Sequence, residues 1–324
     1  MVVSYIFLFI WAFVVLFPFY WLGVTAFKLP IDVSSGPKYL PFVDFKPSTH
    51  AFEELLFETE NFVSRPYMNT VSIALTSSIC TIVIGSLAAY ALTRFNYQPK
   101  PGLVVAFAVC IGIAILLIHN GMGWRPAVII ATLIYLLVAV TIGRRFRGGL
   151  TNDDVAFWLV SQRMLPPVAV ILPIYMMFQQ LDLLNTRIAI IITYTAANLP
   201  LAIWFMRDYF LSIPIELEES AFIDGASRYQ VFWRIVMPLA VPGLVATFLI
   251  VLVFAWNEYL LGLYLSGPNT QMMPQLVAAQ NATRGPQWWN ISALVLMMVG
   301  PIVLLAIALE RFIARGILVG AVKG

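Results

Sequence analysis

The sequence predicts an all-α integral membrane protein, and three observations carry that expectation. Of its 324 residues, 61% are hydrophobic and 11% charged, with a mean hydropathy of +0.88. Soluble domains run about 45–50% apolar and about 25% charged, so this chain lacks the polar shell a soluble fold needs. The apolar residues also gather into continuous runs that approach or exceed the roughly 20 residues a helix needs to cross a bilayer core. The runs do not alternate, as the strands of a membrane barrel would. Two cysteines exclude a disulfide scaffold. A net charge of +3, scattered along the chain, excludes an electrostatic nucleic-acid surface.

Runs of this kind fall at residues 2–27, 67–92, 102–119, 126–143, 155–181, 188–206, 239–265 and 291–309, which makes eight predicted spans. The longer ones exceed the minimum, so tilt or kinks are expected, with Pro166, Pro167, Pro173 and Pro200 as the kink positions. The first run has no charged segment before it and is too long for a signal peptide, so it reads as an anchor. An even number of crossings puts both termini on one side. With that side cytoplasmic, the inner segments carry Arg94, Lys100, Arg144, Arg145, Arg147, Arg207, Arg228, Arg234, Arg311, Arg315 and Lys323. The outer ones carry Lys28, Lys38, Lys46, Arg65, Arg125, Arg187 and Arg284, a smaller set, as the positive-inside rule requires. Cys80 and Cys110 lie in apolar runs as small buried hydrophobes. His50 and His119 stand apart in outer segments, so no metal cluster is expected.

Most of the polar chain is ordinary connection, but residues 207–238 are not. Glu216, Glu218 and Glu219 follow Pro214, which suits the first turn of a helix by charge and by φ. Leu217, Ala221 and Phe222 give that helix an apolar face, and Gly225 permits the positive φ that ends it. Ser227 with Gln230 forms a capping-box pattern opening a second short helix, from Arg228 to about Val236, which Pro238 is expected to stop. The product is a helix–turn–helix with an exposed face of Phe222, Tyr229, Phe232 and Trp233. Such a face suits either a membrane-surface loop or a docking element for a cytosolic partner.

The residues of this loop carry a family resemblance. Glu219-Ser220-Ala221, Gly225 four residues after Ala221, then Ile235 and Met237-Pro238 resemble the EAA loop of ABC importer permeases, with departures at Ser220 and Met237. Asn69-Thr70 at the start of a span ending Ala88-Ala89-Tyr90-Ala91-Leu92 resembles the second span of maltose-type sugar permeases. So do Pro166-Pro167 with Pro173, Asn198-Leu199-Pro200 with Trp204, Trp256-Asn257-Glu258, and the closing Gly320-Ala321-Val322-Lys323-Gly324. The resemblance covers nearly the whole chain except about 99–152, where two extra apolar runs read as an inserted helical hairpin.

The resemblance implies one transmembrane permease domain over 1–324 with the type I importer architecture: six core spans plus the hairpin at 99–152. It implies a coupling loop at 207–238, in which Glu218, Glu219, Ser220, Ala221, Asp224, Gly225, Tyr229, Phe232, Ile235 and Pro238 meet an ATPase. It further implies a second homologous permease, two ATPase subunits and an extracytoplasmic solute-binding protein, in a bacterial or archaeal cytoplasmic membrane. No Gly-x4-Gly-Lys-Ser/Thr pattern occurs, so ATP and magnesium are expected in the partner ATPase and no cofactor or catalytic residue in this chain.

A hydroxylated solute needs hydrogen-bonding groups at membrane depth, and these are costly there unless they face a wet cavity or a partner. The candidates are Gln162, Arg163, Asn198, Asn257 and Glu258. Arg163, read as about ten residues inside its run, suits either a pair with Glu258 or an anionic sugar derivative bound by its planar fork. In the polar outer segment 266–290, the resemblance places the binding-protein contact, with Gln271, Gln275, Gln280 and Asn281 as candidates and Trp288 and Trp289 as interfacial residues. The expected activity is uptake of a sugar, polyol or sugar derivative. The alternative is an ATP-independent secondary transporter or channel, which would favour paired intramembrane acids and bases. An intramembrane enzyme would need a nucleophile–base or metal constellation in the spans.

Overall fold

The computed structural model describes residues 2–58, 62–96, 100–141, 149–281 and 285–321, with side chains as far as Glu310. Among these residues the secondary structure is helical apart from an isolated bridge between Pro41 and Phe45. Seven helices are long and apolar enough to cross a membrane, or eight if a broken pair counts as one span. The chain is a multi-pass membrane protein. Its contacts divide it into two compact units, 1–86 with 165–324, and 87–164.

The larger unit holds α1 (Val2–Ala26), α2 (Pro30–Ser34), α3 (His50–Glu53), most of α4 (Ser64–Arg94), α8 (Pro167–Gln180), α9 (Arg187–Ser212), α10 (Glu216–Ile223), α11 (Arg228–Val231), α12 (Met237–Trp256), α13 (Leu260–Leu265), α14 (Met273–Ala279) and α15 (Trp288–Ala321). Its main core joins Ile73, Ile190, Tyr194, Leu252, Trp256, Leu265 and Met272. Lipid gives no hydrophobic drive between spans, so small residues and hydrogen bonds must bring them together. On α4, Ser77, Thr81 and Gly85 recur every fourth residue. Thr81 Oγ1 donates to the Thr195 carbonyl and Thr195 Oγ1 to the Ser77 carbonyl, each at 3.4 Å. One turn further, a Cβ on Gly85 would stand 2.9 Å from Ala202 Cβ. The α9–α12 contact depends likewise on Gly243, where a Cβ would stand 2.4 Å from the Tyr209 ring.

The stretch between α1 and α4 is a packed cap rather than a plain connection. Lys28 is 3% exposed; its ammonium donates to the Lys38 carbonyl at 2.6 Å and sits 4.4 Å from the centroid of Trp21. Burial pushes the Lys28 ammonium below its ordinary value, against the opposing pull of Asp32 and Asp44. Backbone N–H groups of Leu40 and Tyr39 hold the Asp44 carboxyl below the usual range. Spacing rules miss this cap because its order comes from polar side chains closing turns, not from apolar periodicity.

The smaller unit, 87–164, contains α5 (Pro101–His119), α6 (Trp124–Thr141) and α7 (Asn152–Ser161). Cys110, Ala114 and Ala131 form the seam of the α5–α6 hairpin, with Phe107 and Tyr135 in edge contact at 5.4 Å. Thr151 and Asp154 close a capping box on α7.

Several expected spans differ in detail. The run 155–181 is not one helix: α7 ends at Ser161, a 3-10 turn covers Gln162–Met164, and α8 begins at Pro167. Two adjacent prolines, Pro166 and Pro167, remove two backbone donors and force the break. Pro173 and Pro200 do not interrupt their helices. The run 239–265 breaks at Asn257, between α12 and α13. Arg163 and Glu258 therefore sit at helix breaks and not deep inside continuous spans.

Candidate functional site

The helix pair at 207–238 is built by two interlocking caps. At the end of α10, Gly225 N–H donates to the Phe222 carbonyl at 3.1 Å and Ala226 N–H to the Ala221 carbonyl at 2.9 Å. With Gly225 at φ +83°, this is a Schellman ending whose C3 residue is Ala221 and whose C′ residue is Gly225. The four-residue spacing between that alanine and that glycine is thus the geometry of the stop itself. Two residues later, Ser227 Oγ accepts from Gln230 N–H at 3.3 Å and the Gln230 side chain accepts from Ser227 N–H at 2.8 Å. The expected capping box is present.

Beyond the cap, the second helix departs from expectation. Pro238 does not stop it. A π-helical turn over Phe232–Val236 carries α11 directly into α12, and Pro238 lies in the first turn after it. At the other end, α10 follows α9 after three residues, 213–215. The loop is therefore mechanically continuous with two spans.

The extra residue of the π turn re-aims side chains. Phe232, read from the sequence as part of the exposed face, is 6% exposed and packs inward with Val231 and Val236. Tyr229 at 73%, Ile223 at 87% and Trp233 at 46% stay outside, with Phe222 and Leu217 beside them. Ile223 is an exposed apolar residue that helical spacing alone did not single out. Glu218 is buried, while Glu219, Ser220, Asp224, Gly225 and Pro238 are exposed and Ala221 and Ile235 are half-buried. Ser220, the departure from the motif, donates its hydroxyl to the Glu216 carbonyl at 2.8 Å, so a hydroxyl is accommodated at an alanine position.

The polar candidates at depth divide between the units. Gln162 and Arg163 lie in the 3-10 turn of the smaller unit, both exposed. In the larger unit, Tyr194 joins Asn198 and Glu258: the Asn198 amide donates to the Tyr194 carbonyl at 2.9 Å, and the Tyr194 hydroxyl donates to the Glu258 carbonyl at 3.0 Å. Glu258 Oε1, from the residue before the N-cap Tyr259, accepts from Leu261 N–H at 3.0 Å and so satisfies one donor of the first turn of α13. Asn257, exposed at the break, bonds back to the Val253 carbonyl at 2.8 Å. The fully buried Tyr194 is the member that sequence reading missed, because an aromatic residue in an apolar run carries no polar signal.

The segment 266–290 is less open than its polar composition suggests. Met272, Met273, Pro274, Gln275 and Leu276 are buried, with α14 folded against α15. Gln275, a candidate in the binding-protein-contact segment, is 5% exposed; its amide donates to the Tyr259 carbonyl at 3.3 Å and accepts from Met272 N–H at 3.1 Å. It is committed to the fold. Gln271 and Gln280 are half-buried and Asn281 exposed; Arg284 lies outside the described residues. Among the described residues no cluster of three or more His, Cys, Asp or Glu is placed to hold a metal ion.

Residues 135–319 match the family described as the binding-protein-dependent transport system inner membrane component. The chain is 28% identical over 312 residues to a probable ABC transporter permease protein of Sinorhizobium fredii, covering 96% of this chain and 92% of that one. It is 25% identical to the trehalose/maltose transport system permease protein of Thermococcus litoralis, over 97% of this chain and 93% of the relative. In fold it resembles a chain of a bacterial ABC transporter involved in import of the acidic polysaccharide alginate, with a TM-score of 0.62, 19% identity, and coverage of 96% and 95%. The matched region holds the capped helix pair, its continuation into α12 and the buried segment 272–276. This chain belongs to the family of binding-protein-dependent transport system inner membrane components.

Proposed function

We propose that this chain is the non-catalytic permease subunit of an ABC importer that carries a sugar, polyol or sugar derivative into the cytoplasm. The complex we infer contains a second homologous permease, two ATPase subunits that bind ATP and magnesium, and a solute-binding protein, in a bacterial or archaeal cytoplasmic membrane with both termini inside. The observation that carries the reading is the helix pair α10–α11. It presents Ile223, Tyr229 and Trp233 outward and joins α9 and α12 with almost no slack. A surface of that kind, seated in a groove of an ATPase, passes the motion of nucleotide-driven closure to two spans as rigid bodies. The sugar class is supported by the trehalose/maltose relative over almost the full length. The tip after Val277, with Gln280 and Asn281, is the proposed contact for the binding protein. Gln162, Arg163, Asn198, Asn257 and Glu258 are the proposed solute-path groups.

The test is a clean deletion of this chain in its host, complemented by wild type or Gly225→Val, with uptake of labelled maltose, trehalose, glycerol and glucuronate. Wild type should restore ATP-dependent uptake of at least one of them and co-purify an ATPase through an affinity tag. Uptake that persists without ATP, or a tagged chain that brings down no ATPase, would favour the secondary-transporter reading. Arg163→Gln belongs in the same experiment. Loss of glucuronate uptake with neutral uptake intact would assign an anionic solute to that guanidinium.

A further inference from the structure

We propose that Asn69 is a latch that positions the segment 266–276, and through it the tip after Val277, for the partner the tip meets. The inference rests on the proposed function, in which this partner is the solute-binding protein. Asn69 is fully buried in the second turn of α4. Its amide nitrogen donates to the Asn269 carbonyl at 3.0 Å and to the Gln271 carbonyl at 2.9 Å, two hundred residues along the chain. An amide has two N–H donors and both are used. Its oxygen accepts from Arg187 Nε at 3.0 Å, at the start of α9. Arginine is only a donor, so it fixes which way round the amide stands.

The neighbouring residues complete the clamp. Thr70 Oγ1 accepts from Met273 N–H at 2.8 Å while donating to the Pro66 carbonyl at 2.9 Å. From the far side, the Thr270 hydroxyl donates to Asn185 Oδ1 at 2.9 Å, and Asn185 N–H donates to the Leu265 carbonyl at 3.0 Å. Asn185 holds a left-handed φ of +57°, and a Cβ on Gly267 would stand 2.6 Å from its Cγ. A strained residue, a close backbone approach and three buried polar side chains thus converge on one loop. The partners that grip Asn269, Thr270, Gln271 and Met273 lie on the N-terminal end of α4 or on the turn that opens α9, while further along Gln275 ties the segment to the Tyr259 carbonyl. The loop therefore moves with those two spans, and its tip reports their position to whatever docks there.

Chemistry separates the latch from ordinary packing. In Asn69→Asp the carboxylate keeps, and strengthens, the bond to Arg187, but it turns two donors into an oxyanion facing two carbonyl oxygens. Were Asn69 there only to hold α4 to α9, Asp would be silent and Ala harmful. As a latch, Asp should be worse than Ala. In host cells carrying the variant at the native locus, Asn69→Asp should lower uptake of the wild-type sugar about tenfold, and Asn69→Ala by less. Basal ATPase of the isolated complex and the amount of chain in the membrane should not change, a split that general unfolding does not produce. Uptake in Asn69→Asp equal to wild type, or above Asn69→Ala, overturns the proposal. If both variants fail to reach the membrane, Thr70 decides: Thr70→Ser keeps the acceptor for Met273 and should transport, whereas Thr70→Val should not. Equal uptake by those two also overturns it. A parallel strain with 278–281 replaced by Gly/Ser separates the two readings. If that strain transports normally, the tip is not the contact; if it is impaired while Asn69→Asp is normal, the latch alone is wrong.

Discussion

At the scale of single residues, three glycines separate conformational need from steric need. Gly225 has φ +83° and nothing within 4 Å of an added Cβ, so its requirement is purely one of backbone conformation. A β-branched side chain there costs about 1–2 kcal/mol, which shifts the population of the native turn about five- to thirtyfold. Gly225→Val should therefore reach the membrane at normal levels yet lose uptake, measured against ATP hydrolysis by the same complex. Gly262 is the opposite case. A Cβ there would stand 2.2 Å from Gln275 Nε2, 2.6 Å from Met272 Cε and 2.7 Å from the Tyr194 hydroxyl. Gly262→Ala should destabilise the solubilised protein by about 1–3 kcal/mol through overpacking. Gly300→Ala, with open space around its Cβ and a helical backbone, is the control and should leave the melting temperature unchanged or slightly raised. Equal melting of the Gly262 and Gly300 variants would refute the close packing at Tyr194.

At the scale of elements, the helix pair α10–α11 stands on caps more than on packing. Helix α11 is a single turn before the π-helical stretch, too short to be stable by propensity. Ser227→Ala removes the side-chain acceptor at its start and should cost about 1 kcal/mol, read as weaker sugar uptake at unchanged abundance. Ser227→Asp retains an acceptor and should behave as wild type; equal loss in both would assign the effect to something other than capping. This helix pair was legible in the sequence because caps are local: Gly225, Ser227 and Gln230 announce their roles by spacing. The π turn was not. Nothing in 232–236 forbids an ordinary helix, and the choice is made by burying Phe232 and Val236 against the rest of the unit. The break at Asn257–Glu258 was hidden for a related reason. An apolar run continues on both sides of it, and the stop is supplied by Tyr194, distant in sequence, bonding the Glu258 carbonyl. Composition found the spans; a proline pair broke one of them locally, and at Glu258 a long-range hydrogen bond marks where another breaks.

At the scale of the whole molecule, the two units differ in what holds them. The clusters of the larger unit draw on residues from both ends of the chain, as where Ala26 and Leu55 share a cluster with Met273 and Leu294. The hairpin α5–α6 packs mainly on itself through Cys110, Ala114 and Ala131, and much of its remaining surface is exposed apolar side chain, as suits lipid contact. Its point of entry and point of exit are close together. The Asn152 amide donates to the carbonyls of Leu92 and Phe95, each at 2.7 Å, so the chain that leaves α4 and the chain that enters α7 are tied side by side. A loop of about five residues, reaching roughly 3.3–3.6 Å per residue, is ample to join them. Two crossings return the chain to the side it left, so removing both preserves the direction of every later span. We therefore expect that replacing 99–149 with five Gly/Ser residues, keeping Thr151 and Asn152, leaves the chain in the membrane and its uptake within about threefold of wild type. Asn152→Ala in that shortened chain should be harmful where it is mild in the full chain, because the short link then loses the bond that closes it. Uptake abolished in the shortened chain at equal abundance would show that the hairpin takes part in transport, by lining the path or holding a partner subunit.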